Sequence, residues 1–396
     1  MRIIKTTIRK AADIVSFLIG NSIPKKRNLI LFHGATLSSY NESTRYLYEY
    51  MLVNNQDVDL KWITDNKVVF EFLSSHEKPV VFHKSVMGLI CYLRAGIVIG
   101  TGTSYPSLLE FVGNKTLKIC LHHGVGPRST NAVDGYMFTD PFQVLIKYRR
   151  YDYFNFTSKY TDMFIGKMQF LIPDARRVVL GLPRCDHLLD SNASQISKLN
   201  KHLLKKIYNK VKSGDQCVLY APTWRPYNTK MSFPLEQIDG FNIYNFNKWL
   251  IEKNILFFVS VHPIVEEQNL DNYSNILYLN TDHLVDINMI LPEIDLLVTD
   301  YSSIATDYML LDRPVIYVMH DYDYFLYEYG LLEDFRGNLP GSESHSMDQF
   351  KTDLDHSLRC PEEMADKRSE YITRYYDTNI NNSCERVNGF VNTLLK

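Results

Sequence analysis

Five short stretches of this 396-residue chain carry side chains suited to attack on a phosphodiester or diphosphate: His123-Gly124, Arg184, Thr223-Trp224-Arg225, His262-Pro263 and Thr299 to Ser303. Such chemistry needs arginine forks to neutralise phosphate oxygens. It also needs a neutral imidazole to take the proton of an attacking hydroxyl near neutrality. Taken singly, each residue has a plainer use. A histidine at a strand end is commonly a hydrogen-bonded structural residue, Arg184 has Asp186 and Asp190 nearby as pairing partners, and Ser302 and Ser303 suit a helix cap. What joins the five is position, because each follows an apolar run of strand type.

The richest is Asp295 to Val318. Leu296 to Val298 and Pro314 to Val318 read as strands, and between them Ile304, Tyr308 and Leu311 recur at helical spacing. A strand that turns through Thr299, Asp300, Tyr301, Ser302 and Ser303 into a helix presents backbone N–H groups and hydroxyls to an anionic phosphate without a glycine loop. Neither Gly-x-x-x-x-Gly-Lys-Ser/Thr nor Gly-x-Gly-x-x-Gly occurs, which argues against an ATPase and a Rossmann dehydrogenase. Asp321-Tyr322-Asp323 has the spacing of a carboxylate pair for a divalent ion, but aspartates at alternate positions of a polar loop are usually solvated, and no metal site is predicted. Asp286 to Asn288 reads as a helix cap in preference to a ribose contact.

Strands and helices alternate through the rest. Leu29 to Phe32, Val58 to Thr64, Val80 to His83, Ile97 to Ile99, Thr116 to Leu121 and Arg176 to Gly181 read as strands, with a helix bearing Leu47, Tyr50 and Met51 after the polar Tyr40 to Ser43 and another at Ser85 to Ala95. A second series runs Cys217 to Tyr220, a helix at Asn242 to Asn254, then Ile255 to Val261 and Ile276 to Leu279, and a short helix at Asp286 to Leu291. Helices are expected at Met347 to Leu358 and Pro361 to Leu395. The alternation predicts α/β architecture with parallel sheets whose ligands lie beyond the strands' carboxyl ends, where His33, Gly100 to Ser104 and His123 share one rim. The length exceeds a comfortable single core, and the polar stretch Ser191 to Lys212 marks a junction. The expected division is residues 1–24, 25–195 (acceptor side) and 196–396 (nucleotide-donor side).

Residues 1–24 interleave Arg2, Lys5, Arg9 and Lys10 with Ile3, Ile4, Ile8, Ile14, Val15 and Leu18. This basic amphipathic helix is too short in its apolar run to span a bilayer and carries no secretory cleavage site. Two readings stand: it lies on an anionic membrane surface, helped by Lys25, Lys26 and Arg27, or it packs on the body. Both leave the protein cytoplasmic, peripheral at the inner face in the first case. A net charge of -2 with interspersed signs predicts no nucleic acid partner. Six scattered cysteines with no Cys-x-x-Cys suggest neither a zinc knuckle nor a disulfide framework, which fits a reducing compartment.

Together the motifs resemble the CDP-glycerol glycerophosphotransferase family, the teichoic acid primases and polymerases and their capsule relatives. The resemblance rests on Tyr40 to Ser43 with Tyr48 and Tyr50, Lys61-Trp62, His123-Gly124, Gly181 to Asp186, Tyr220 to Arg225, His262-Pro263, Thr299 to Val318 and the ending Asp377 to Val391. It implies a GT-B-like fold of two facing Rossmann-type domains. It also implies transfer of glycerol or ribitol phosphate from a CDP-polyol to a hydroxyl of a lipid-linked saccharide or polyol-phosphate acceptor, with release of CMP. By the same resemblance His123 is the base and His262 a second essential histidine. Arg184, Thr223, Arg225, Thr299, Asp300, Ser302, Ser303 and Asp307 are the donor-binding set. No cofactor is required, and Mg is allowed without being predicted. The family usually reads Trp-His-Gly-Thr-Pro followed by lysines, whereas this chain has His122-His123-Gly124-Val125-Gly126-Pro127-Arg128. That departure points to a divergent branch such as capsule or O-antigen synthesis. The alternatives are a glycosyltransferase of the same architecture using a nucleotide sugar such as CMP-Kdo, because fold does not fix donor, and a non-catalytic membrane-surface partner. The retained histidines and Ser-Ser turn speak against the latter.

Overall fold

The computed structural model describes residues 18–101, 113–124, 126–127, 151–189, 214–225, 233–261, 270–279, 286–331, 335–377 and 380–396. Its first half is built on β1 (Lys26–Phe32), β2 (Asp59–Thr64), β3 (Val80–Phe82), β4 (Ala95–Gly100), β5 (Leu117–Cys120), β6 (Tyr153–Phe156) and β7 (Arg177–Val179). They form one sheet in the order β3-β2-β1-β4-β5-β6-β7, every neighbour parallel. Helices α1 (Glu42–Asn54), α2 (Lys67–Ser75), α3 (Val86–Arg94) and α4 (Pro183–Leu189) connect and flank it. β4 is buried at all six positions, as an Ala-Gly-Ile-Val-Ile-Gly run covered on both faces requires. Ser85 caps α3 by accepting from Gly88 N–H at 2.9 Å, and Asn66 caps α2 from Val68 N–H at 2.8 Å.

The second half repeats the plan with β8 (Gln216–Tyr220), β9 (Ile255–Val259), β10 (Ile276–Tyr278), β11 (Leu296–Thr299), β12 (Val315–Tyr317) and β13 (Ser342–Glu343). Their order is β10-β9-β8-β11-β12-β13, again all parallel. Its helices are α5 (Ile243–Lys253), α6 (Ile304–Tyr308), α7 (Tyr322–Tyr329), α8 (Met347–Arg359), α9 (Ala365–Tyr376) and α10 (Ser383–Leu395). Two parallel doubly wound sheets are therefore present, as the alternation predicts.

Local departures have local causes. The helix expected at Asp286 to Leu291 is two 3-10 turns, Ile287–Met289 and Leu291–Glu293, because Pro292 at the start of the second has no N–H to continue the first. The helix expected from Pro361 to Leu395 divides at Asp377, whose φ of +62° lies in the left-handed region. Strands β6 and β13 and helices α2, α4 and α7 are additions. Tyr153–Phe156 is short and aromatic without alternation, so no period marks it.

Helix α10 returns to the first sheet. Val387 and Val391, both fully buried, join Leu47, Tyr48 and Met51 of α1 in one cluster. Asp186 of α4 accepts from the backbone N–H of Ser383 at 2.8 Å and of Cys384 at 2.7 Å, capping the start of α10. A second cluster joins Cys185 and Leu188 of α4 to Tyr308, Met309, Tyr375 and Tyr376, so apolar packing runs continuously between the halves. Of the expected N-terminal helix, residues 18–22 are helical with Leu18 and Ile19 exposed, and the remainder lies outside the described residues. Among the described residues no helix is long and apolar enough to cross a membrane.

Candidate active site

In each sheet the strand order reverses once, between β1 and β4 and between β8 and β11. An open α/β sheet takes its ligands in the crevice beyond such a reversal. At the second reversal the ends of β8 and β11 are tied together. Thr299 Oγ1 donates to the Ala221 carbonyl at 2.7 Å, and Thr223 N–H donates to Asp300 Oδ1 at 2.8 Å. Asp300 also accepts from Tyr301 N–H at 2.6 Å. Arg225, buried, donates to Asp300 and the Thr223 carbonyl, and its other edge forks onto Asp321 at 2.9 and 3.0 Å. Burial works against its charge, but the two carboxylates more than offset this and keep it protonated. Asp321 also accepts from the Tyr301 hydroxyl at 3.2 Å, so this aspartate serves an ion-pair brace.

Ser302 and Ser303 follow at the cleft surface, half-buried. Ser302 Oγ accepts weakly from Ile304 N–H at 3.4 Å, whereas Ser303, at the N-cap of α6, makes no side-chain cap bond. Capping therefore does not account for the Ser303 hydroxyl. The Thr223 hydroxyl is buried and has no protein partner.

The loop after β5 faces this turn from the other half. A Cβ built on Gly124 would lie 3.0 Å from Ser303 Oγ and 2.9 Å from Arg184 Nη2, and one on Gly126 would lie 3.0 Å from Ser303 Cα. Gly124, with φ +155°, leaves room for the Arg184 and Ser303 side chains, and Gly126 lets its backbone approach that of Ser303 where a side chain would hold them apart. His123, beside Gly124, keeps 65% of its side chain exposed and places Nδ1 3.1 Å from Glu42 Oε1. His122 takes φ +67° and turns its ring toward Phe154, Phe156 and Phe170, with centroids 5.6 to 6.2 Å away. The resemblance puts a tryptophan there, so one aromatic wedge replaces another. Burial, aided by the charges of His123 and Arg184, pushes the His122 pKa down to about 3 and keeps it neutral.

Arg184, only 3% exposed, pairs with neither Asp186 nor any other acidic residue of its own segment. It bridges the halves, donating to Glu42, to the His123 carbonyl and to Asp307 Oδ2 at 2.7 Å. Asp307 also accepts from the Tyr376 hydroxyl. Burial alone would raise the Glu42 pKa, but His123 and Arg184 outweigh it and hold it at about 2. Glu42 in turn raises the His123 pKa above the ordinary imidazole value, against the opposing effect of burial.

Thus Thr223, Arg225, Thr299, Asp300, Ser302 and Ser303 gather at one strand-end cluster, and His123, Arg184 and Asp307 meet at the seam beside it. His262 lies outside the described residues; β9 ends at Val259 on the same rim. His33 also lies on the first sheet's rim but is buried, with Nδ1 2.9 Å from the Gly34 carbonyl. Sequence reasoning missed Glu42, Tyr376 and the second partner of Asp286. Asp286 caps Asn288 N–H at 2.9 Å as expected, but its other oxygen accepts from Glu42 N–H at 2.5 Å across 244 residues. Glu42 has φ +68°, a conformation that costs a non-glycine residue of order 1–3 kcal/mol and persists only when its surroundings over-determine it. No sequence signal marks such a residue beyond its place in the Tyr40 to Ser43 motif. Among the described residues no group of three or more His, Cys, Asp or Glu could hold a metal ion.

Comparison with known proteins adds a family and a fold. The model of the family described as CDP-Glycerol:Poly(glycerophosphate) glycerophosphotransferase matches residues 16–393. The teichoic acid glycerol-phosphate transferase of Staphylococcus aureus (strain NCTC 8325 / PS 47) is 25% identical over 400 residues, covering 94% of each chain. The teichoic acid glycerol-phosphate primase of Bacillus subtilis (strain 168) is 25% identical over 215 residues, 52% of this chain and 50% of that protein. The chain spans about half the length of several curated relatives it matches, that primase and the teichoic acid poly(ribitol-phosphate) polymerase of Bacillus spizizenii among them. Among solved structures, the wall teichoic acid polymerase TagF superposes with a TM-score of 0.77 at 19% identity, covering 100% of this chain and 96% of that one. At that identity the likeness establishes the fold, two facing Rossmann-type halves of GT-B-like form.

Proposed function

We infer the function from a premise about descent: the chain belongs to the CDP-Glycerol:Poly(glycerophosphate) glycerophosphotransferase family. The reaction proposed is transfer of glycerol or ribitol phosphate from a CDP-polyol to a hydroxyl acceptor, releasing CMP. The observation that carries it is the close approach of the His123-Gly124 loop to the Ser302-Ser303 turn, which places the loop of a candidate base from one half against the uncapped Ser303 hydroxyl of the other.

In this scheme the acceptor oxygen attacks the polyol-side phosphorus in line, the bond from that phosphorus to the bridging oxygen breaks, and the cytidylate leaves with the electron pair. His123 takes the acceptor's proton. The Ser302 and Ser303 hydroxyls and the Thr223 hydroxyl hold donor phosphate oxygens, a role supported by the missing cap bond of Ser303 and the unpartnered Thr223 Oγ1. Arg225, Thr299 and Asp300 hold the strand ends in register beneath them, and His262 is assigned to the donor side. Charge stabilisation of this kind is usually the largest catalytic contribution. The scheme calls for no cofactor.

The acceptor proposed is a lipid-linked saccharide or polyol phosphate at the cytoplasmic membrane face. Support comes from an exposed apolar surface on α3 and at residues 18–19. Val86, Met87, Leu89 and Ile90 of α3 are exposed, as are Leu18 and Ile19, and exposed Arg27, Lys84 and Arg94 lie on the same segments. Lys25 Nζ donates to the Leu93 carbonyl at 2.7 Å, tying the segment after residues 18–22 to α3. An apolar face rimmed by cations suits an anionic leaflet.

Isothermal titration with CDP-glycerol, CDP-ribitol, CMP-Kdo and a UDP-sugar, each with and without magnesium, tests the donor. Selective binding of a CDP-polyol that is lost in a Ser302→Ala, Ser303→Ala double variant supports the scheme. Binding of a nucleotide sugar alone moves the reaction to glycosyl transfer.

A further inference from the structure

Glu42 is held from three directions. Its side chain is 11% exposed, its carboxylate is shared between His123 Nδ1 at 3.1 Å and the Arg184 guanidinium, and its N–H is fixed by Asp286 from the opposite half at 2.5 Å. A left-handed backbone at its helix start aims it, with φ +68°. An ionised carboxylate only accepts, so the proton shared with His123 sits on Nδ1 and the lone pair of the ring is on Nε2. Among the described residues nothing else binds the His123 ring, and its exposed edge lies on the loop that faces Ser303.

We propose that Glu42 is a positioning residue for His123, fixing its Nδ1–H tautomer and its orientation so that Nε2 receives the proton of the attacking hydroxyl. This rests on the reading of His123 as the base. As the new phosphorus–oxygen bond forms and the cytidylate departs with its electron pair, the proton passes to Nε2, and the Glu42 carboxylate stays ionised against the resulting imidazolium. The groups facing the ring are Glu42 from α1, Arg184 from α4, Asp307 from α6 and His122 from its own loop; the two carboxylates raise its pKa and Arg184 lowers it. Asp307 and Glu42 are joined through Arg184, so the carboxylate that orients the base is itself anchored in both halves.

The test compares Glu42→Gln and Glu42→Asp with the parent chain by two readouts. The first is the pH dependence of kcat and kcat/KM with the CDP-polyol that the parent chain turns over. The second is nitrogen-15 imidazole NMR of His123, which reports tautomer and titration without turnover. Glu42→Gln is expected to lower kcat by about 10²- to 10⁴-fold, as when the carboxylate of a catalytic triad is replaced by an amide, with the donor KM within about twofold. Its acid limb and its His123 titration both move to lower pH. Glu42→Asp, which keeps the charge beside Arg184, recovers at least about tenfold of the loss if geometry and charge are the cause. Full kcat with an unmoved acid limb in Glu42→Gln overturns the proposal, as does an Nε2–H tautomer of His123 in the parent chain. If the parent chain transfers nothing from any CDP-polyol, the transferase reading fails by itself, and the NMR still decides for or against Glu42 as the group that sets the ring.

Discussion

At the residue scale, Glu42, Arg184 and Arg225 are charges that their partners keep ionised against burial. His123→Ala should lower turnover by about 10²- to 10⁴-fold, as expected for loss of a general base, while calorimetric donor binding stays nearly unchanged. Normal turnover would remove His123 from the mechanism. The Glu42–His123 pair also makes stability depend on pH. Glu42, lowered from 4.5 to about 2, stabilises the fold above pH 4.5 and loses that contribution as pH falls toward 2. His123, raised above 6.5, contributes fully below 6.5 and loses its share as pH rises through its folded value. The pair is therefore strongest between pH 4.5 and 6.5. The gap in urea midpoint between the parent chain and Glu42→Gln should peak there. It should close at lower pH and shrink at higher pH to what the Arg184 contact contributes. A gap independent of pH would mean that the pair is not coupled as described. Of these residues, His123 and Arg184 are legible in sequence as polar residues at strand ends, whereas Glu42 is not, because its partner Asp286 is 244 positions away.

At the element scale, strands were legible wherever apolar runs are continuous, as in β4, β9 and β11, each buried throughout. They were not legible where tertiary cover substitutes for pattern, as in β6, held between β5 and β7 with Phe154 and Phe156 buried in the core. Helix α10 is the clearest case. Its amphipathic spacing predicts a helix, but nothing local says that Val387 and Val391 face α1 of the first sheet. Replacing both by Ala should destabilise the chain by roughly 2–4 kcal/mol through lost burial and residual cavity. Hydrogen exchange should then quicken in Leu47 to Met51 of α1, not in β8 or β9. Faster exchange confined to the second sheet would contradict the packing.

At the scale of the whole molecule, two sheets with their carboxyl edges turned toward each other create the cleft, and the buried Arg184 between Glu42 and Asp307 ties its walls. The apolar face of α3 carries the proposed membrane contact. Met87→Asp with Ile90→Asp should reduce co-sedimentation with anionic vesicles by at least about tenfold, since charges on a membrane-facing apolar stripe oppose its burial. CDP-polyol binding should be unaffected. Unchanged sedimentation of that variant would assign the face to another role.

The sequence by itself determined the alternating α/β plan, the rim on which polar residues collect and the family, because apolar periodicity and strand-end motifs are local properties of the chain. Only the tertiary structure decided that the Gly124 to Gly126 loop meets Ser303, that Asp286 holds the left-handed Glu42 in place, that Arg184 pairs across the seam in preference to its neighbours, and that the last helix covers the first sheet. The reason is physical. A buried ion pair or a fully covered valine is defined by desolvation, which depends on what lies across the interface and has no counterpart in the spacing of residues along one strand of chain.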